Sequence, residues 1–140
     1  MAKKVIMMMG YPGSGKTTYI NNNFTGKEYT IIHGDDHKTE SKMKKAFLSA
    51  IQSENSCNIV LDATFASMIK RVVFISIAKQ YTNDISLIHI NTSLETSLKR
   101  NLERIGDKRV PNIALFTYRK RFEEPSIEEG FSNIEIVEEN

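Results

Sequence analysis

Eight consecutive residues, Gly10-Tyr11-Pro12-Gly13-Ser14-Gly15-Lys16-Thr17, match the pattern G-x-x-x-x-G-K-[ST]. The glycines let the backbone curl until successive N–H groups point at one centre, which makes an anion nest at the mouth of a helix. In such a nest Lys16 supplies a cation between the β- and γ-phosphates of a nucleotide, and the Thr17 hydroxyl is a ligand for Mg²⁺. The candidate nucleotide contacts are Gly13, Ser14, Gly15, Lys16, Thr17, Thr18 and Arg100, with ATP and Mg²⁺ as the expected cofactors. The apolar run Val5 to Met9 before the loop, and a helix opening after it, supply the strand-loop-helix setting that the pattern requires.

Carboxylates recur where such a loop needs them. Asp62 ends the apolar run Ile59-Val60-Leu61, as in a Walker B strand, and through water it organises the shell of the metal; the plainer alternative is an aspartate that caps the next turn. Asp35 and Asp36 follow a β-branched run and offer a general base: transfer to a hydroxyl needs an acceptor for its proton and a group that fixes the oxygen in line with phosphorus. Arg100 and Arg104 lie four apart, on one face of a helix, before a glycine-containing loop with Lys108 and Arg109. Charge builds on the transferring phosphoryl group, so these arginines read as a lid over about residues 100–110, with Arg104 ahead of Arg100; the alternative is surface pairing with Glu103 and Asp107.

These groups need a scaffold that brings strand ends together. The chain alternates short apolar runs with longer amphipathic stretches and fits one domain at 140 residues, without a linker or internal repeat. Strands are expected at Lys4 to Met9, Tyr29 to His33, Asn58 to Asp62, Ile85 to Ile90 and Phe131 to Val137. Helices are expected from Lys16 to about Asn23, Ser41 to Ser53, Ser67 to Gln80, from a capping box at Thr92-Ser93-Leu94-Glu95 to near Gly106, and from Pro111 to about Phe122. The expectation is an α/β protein of the P-loop NTPase fold, a three-layer αβα sandwich with a five-stranded parallel sheet and a helical lid. Right-handed crossovers carry Gly10, Asp35 and Asp62 to the carboxyl ends of the strands, where such sheets bind ligands.

Composition narrows the class. With 40% hydrophobic and 26% charged residues, and no apolar run of about 18 residues, nothing suggests a membrane span. The start leads straight into the first strand without room for a signal peptide, and the one cysteine, Cys57, reads as a buried structural thiol; together these point inside a cell. The net charge of +2 hides an asymmetry: residues 99–121 hold eight cations against two acids, whereas residues 122–140 hold seven glutamates and no cation. A basic segment that faces a polyanion accounts for this, as do two solvated faces of opposite sign.

Beyond these features, Val110-Pro111, Tyr118-Arg119-Lys120-x-Phe122-Glu123-x-Pro125 and Glu129-Gly130-Phe131, taken with the phosphate loop, the Asp35 turn, Asp62-x-Thr64 and Arg100-Asn101, resemble the kinase domain of 5′-hydroxyl polynucleotide kinases over nearly the whole chain. The resemblance implies transfer of the ATP γ-phosphate to the 5′-hydroxyl of DNA or RNA. It assigns the phosphates to Lys16, the metal to Thr17, the general base to Asp35 rather than Asp36, a lid role to Arg104, and contact with the nucleic acid to Arg71. Lys38 stands where the phage enzyme has an arginine on the acceptor phosphate, so charge is kept and the bidentate fork is lost. His33-Gly34 replaces an Asn-Arg pair, and Ala63 replaces an asparagine. Lys70, and Phe65 as a stacking platform, are further expected contacts to a single-stranded or opened end. No D-x-D-G-T string of a partner phosphatase occurs, so a stand-alone kinase is expected. A kinase of the same fold acting on a sugar, nucleoside or antibiotic hydroxyl is the main alternative, ahead of a nucleotide-dependent switch. A GTPase is disfavoured by the lack of an N-K-x-D string.

Overall fold

In a strand buried on both faces, successive side chains enter two different cores, and the first strand shows this directly. In the computed structural model, which describes residues 3–54 and 58–139 apart from the Asp107 side chain, Val5, Met7 and Met9 join one cluster while Ile6 and Met8 join another. Cys57 lies outside the described residues.

The elements follow one another as β1 (Lys4–Met9), α1 (Lys16–Asn23), β2 (Tyr29–His33), α2 (Glu40–Gln52), β3 (Asn58–Asp62), α3 (Met68–Lys79), β4 (Ile85–Thr92), α4 (Leu94–Glu103), α5 (Asn112–Arg121) and β5 (Asn133–Glu139). Single 3₁₀ turns at Gly34–Asp36, Gly106–Lys108 and Ile127–Glu129 join them. All strand pairs are parallel, in the order β2-β3-β1-β4-β5. On one face Met43, Phe47 and Ile51 of α2 and Phe74, Ile75 and Ala78 of α3 pack against the odd-numbered side chains of β1. On the other, Ile20 of α1 packs with Ile6, Met8, Val60, Ile88 and Ile90. Each such side chain contributes about 1.5–3 kcal/mol by leaving water, and the result is a three-layer αβα sandwich. Strand order reverses at β1, which opens a crevice at the carboxyl ends of β1 and β3. Among the described residues no helix is long and apolar enough to cross a membrane.

Several boundaries differ from the sequence expectation for local physical reasons. Ser93, not Thr92, caps α4: its side chain accepts from the Thr96 N–H at 3.0 Å, while Thr92 stays in β4. The α4 helix stops at Glu103, and Arg104 is already extended, so the lid is mostly loop. Phe131 is buried ahead of β5 rather than within it, an apolar anchor that docks the edge strand.

Candidate active site

The loop after β1 turns back at once, the Ser14 N–H donating to the Tyr11 carbonyl at 3.0 Å. Gly13 and Gly15 take φ of 81° and 107°, the left-handed region that only glycine enters freely. Space enforces the same choice: a Cβ on Gly13 would lie 3.2 Å from the Ser97 carbonyl oxygen, and one on Gly15 3.1 Å from Arg100 Nη1. The Ser14 carbonyl is tied outward by two donors, Thr92 Oγ1 and Arg100 Nη1, each at 2.8 Å.

Lys16 Nζ donates to the carbonyls of Gly10 at 3.0 Å and Tyr11 at 2.9 Å, so the ammonium folds back and organises its own loop. Burial pushes its pKa down to about 8 from the usual 10.5; Asp62 and Asp35 pull it back up, and Arg104 pushes it further down. A buried cation short of compensation, in a glycine-rich loop that opens a helix, is chemistry that fits a polyphosphate. The exposed Thr17 hydroxyl and the Asp62 carboxylate border the same cavity, an oxygen donor set that suits Mg²⁺.

Asp62 and His33 end β3 and β2 in register, and His33 Nδ1 lies 2.8 Å from Asp62 Oδ2. Sequence reasoning missed this pair, although its signal was present: two parallel strands of five residues that finish together make their last residues neighbours. Asp35 sits in the 3₁₀ turn beyond His33 and borders the cavity.

One cavity of about 900 Å³ gathers most of the expected residues: Gly13, Gly15, Lys16, Thr17, Thr18, Asp35, Lys38, Asp62, Arg100 and Arg104 all line it. Arg104 reaches it from the loop after α4 and is steadied there by donation from Nη1 to the Lys108 carbonyl at 3.0 Å. Arg100 also faces Glu139 at 3.8 Å. Arg109, by contrast, donates to the carbonyls of Leu102 and Arg104 and so closes the C-terminal end of α4. Lys70 lines the cavity with only a solvent-exposed pair to Glu40, 3.1 Å away. Arg121 and Tyr118 of α5 line it too; the sequence had Tyr118 in the string that carries the resemblance and Arg121 in the basic segment, with no site role for either.

Two expectations need correction. Arg71 is fully buried, its Nε and Nη2 on the Glu129 carboxylate at 2.7 and 3.1 Å and its Nη1 on the Phe65 carbonyl at 2.8 Å, and it is not among the residues that line the cavity, where the expected contact with a strand would require it. If this guanidinium left for the surface, the buried Glu129 carboxylate would be an uncompensated charge, which is strongly unfavourable. Phe65 offers no open stacking face: it is buried in the core, edge-on to Phe74 with ring centroids 5.5 Å apart.

A family model described as an AAA domain matches residues 5–125. Over 138 residues the chain is 33% identical to a bifunctional polynucleotide phosphatase/kinase of Schizosaccharomyces pombe, a match over 96% of this chain and 33% of that protein. The chain thus spans about a third of the length of the curated relatives it matches. The fold is shared with a fungal RNA kinase, with a TM-score of 0.74 and 16% identity over 100% of this chain and 40% of that one. It is shared also with Kti12 of Chaetomium thermophilum, solved with ADP-AlF3, with a TM-score of 0.70 and 19% identity over 96% of this chain and 88% of the other.

Proposed function

We infer the function from one premise: the chain belongs to the AAA domain family whose model covers residues 5–125. On that premise the protein is a polynucleotide 5′-hydroxyl kinase, which transfers the γ-phosphate of ATP to the 5′-hydroxyl end of DNA or RNA. The observation that carries this reading is the single cavity in which a phosphate loop, the Asp35 carboxylate and the cations Lys38, Lys70 and Arg121 meet. The name of the yeast relative, to which nearly the whole chain aligns, supports the same acceptor class.

The Asp35 carboxylate accepts the proton of the 5′-hydroxyl and aims its oxygen at the γ-phosphorus. The new bond forms there as the bond to the bridging oxygen of ADP breaks. Lys16 exchanges its two loop carbonyls for phosphate oxygens, and Arg104 brings a second cation from the lid side. Thr17, and Asp62 through water, would hold Mg²⁺, which would supply neutralisation of the phosphate charge. His33, bonded to Asp62, fixes the direction of that carboxylate.

The test is 5′ labelling of short hydroxyl-ended DNA and RNA oligomers with labelled ATP and Mg²⁺. Asp35→Asn is expected to lower kcat by about 10²–10⁴-fold, and Lys16→Ala to abolish labelling, with both proteins folded. Activity that survives Asp35→Asn would retire the base assignment. Equal turnover of a nucleoside and an oligonucleotide would instead favour a small-molecule kinase.

A further inference from the structure

The Arg71–Glu129 pair lies beneath the wall of the cavity rather than in it, and its bonds lead to that wall. Thr64, Phe65, Ala66 and Ser67 line the cavity. Phe65 takes φ of 49°, a conformation that a bulky residue adopts only when its surroundings hold it. Arg71 Nη1 supplies that hold, donating to the carbonyls of Phe65 at 2.8 Å and Ala66 at 3.2 Å. The guanidinium is itself locked by the bidentate carboxylate of Glu129, both side chains being nearly or fully buried. Glu129 is locked in turn by the Ser126 N–H, which donates to its Oε2 at 3.0 Å. The neighbouring Gly130 packs so closely that a Cβ there would lie 2.8 Å from Ile75 Cγ2. From the end of α5 the Glu123 N–H donates to the Ala66 carbonyl at 2.8 Å. A buried ion pair by itself adds little that two packed apolar residues would not add. What apolar residues cannot replace is the grip on two carbonyls of a strained segment.

We propose that Arg71, oriented by Glu129, is a positioning residue that sets the shape of the 64–67 wall, so that acceptor recognition depends on this pair while nucleotide binding does not. The proposal rests on the kinase reading, because it assigns the 64–67 wall to the acceptor and the Gly10–Thr17 loop to the donor.

The test pairs Arg71→Met/Glu129→Leu, which exchanges the ions for apolar residues of similar volume, with Arg71→Lys, which keeps the charge and loses the fork. In folded variants the KM for a 5′-hydroxyl oligonucleotide is expected to rise about tenfold or more, as for other supports of a functional residue. The KM for ATP and the affinity for a fluorescent ADP analogue should stay within about twofold, since Arg71 holds the wall at Phe65 and Ala66, whereas the phosphate loop meets it at Thr64 through a long bond from the Gly10 N–H at 3.3 Å. Amide hydrogen exchange gives a readout that needs no acceptor: residues 64–68 should exchange faster in the variants, with the phosphate loop unchanged. Unchanged exchange at 64–68, or a parallel rise of both KM values, would overturn the positioning role. Failure of the wild-type chain to phosphorylate any oligonucleotide would overturn the kinase reading instead, and faster exchange would still stand for the Arg71 grip.

Discussion

Lys16 keeps its side chain mostly buried at the edge of the cavity, and burial brings its pKa down to about 8. Below that value both the folded and unfolded chains hold the proton, and the burial cost is present in full. Between about 8 and 10.5 only the unfolded chain holds it, so the cost fades as the pH rises across this window. A polyphosphate favours the protonated amine. Nucleotide affinity is therefore expected to be level below about pH 7 and to fall as the pH passes 8, by up to about tenfold per unit. Titration of a fluorescent ADP analogue at a series of pH values checks this, and a level affinity throughout would show that the lysine stays charged. Such a shift is invisible in the pattern G-x-x-x-x-G-K-[ST], which supplies the residue type but not the dryness of its surroundings.

Among the elements, β4 and α4 hold the phosphate loop from behind. Thr92 at the end of β4 and Arg100 of α4 both donate to the Ser14 carbonyl. Removing one donor costs about 1 kcal/mol, so Thr92→Val is expected to weaken nucleotide binding about fivefold while Thr92→Ser retains it. Binding titrations of the two variants decide the matter: equal affinities would mean that Arg100 alone suffices. The capping pattern at residues 92–95 was legible, yet which hydroxyl caps was not. Thr92 and Ser93 are both good caps, and the choice fell to a loop 78 residues away in the chain.

On the scale of the whole molecule, the charge asymmetry acquires a geometry. The acidic segment does not trail into solvent: Glu129 is buried on Arg71, Glu135 accepts from the Tyr19 hydroxyl at 3.1 Å, and Glu138 accepts from Asn91 at 3.0 Å. Lys38, Lys70 and Arg121 meet at the cavity from three separate elements or their flanks. Three cations on a single strand predict that the logarithm of acceptor affinity falls against the logarithm of salt with a slope of about −2. Fluorescence anisotropy of a labelled oligonucleotide across a salt series measures it, and a slope near zero would remove these side chains from the acceptor grip. An uncharged nucleoside acceptor should show almost no such dependence.

The sequence by itself determined the phosphate loop, the five strands with their ends at Met9, His33 and Asp62, and the α/β class, because each of these is written in contiguous residues with a short period. Tertiary structure alone decided which charges serve the cavity and which serve the core. Arg71 looked like a surface cation on a helix, and only a carboxylate 58 residues further on drew it inward. His33 looked like a strand residue until parallel register set it against Asp62. Phe65 looked like a platform, but its backbone is bent by carbonyl bonds that no local pattern encodes. Long-range pairing settles such side chains, since a buried polar group is stable only where a partner already stands.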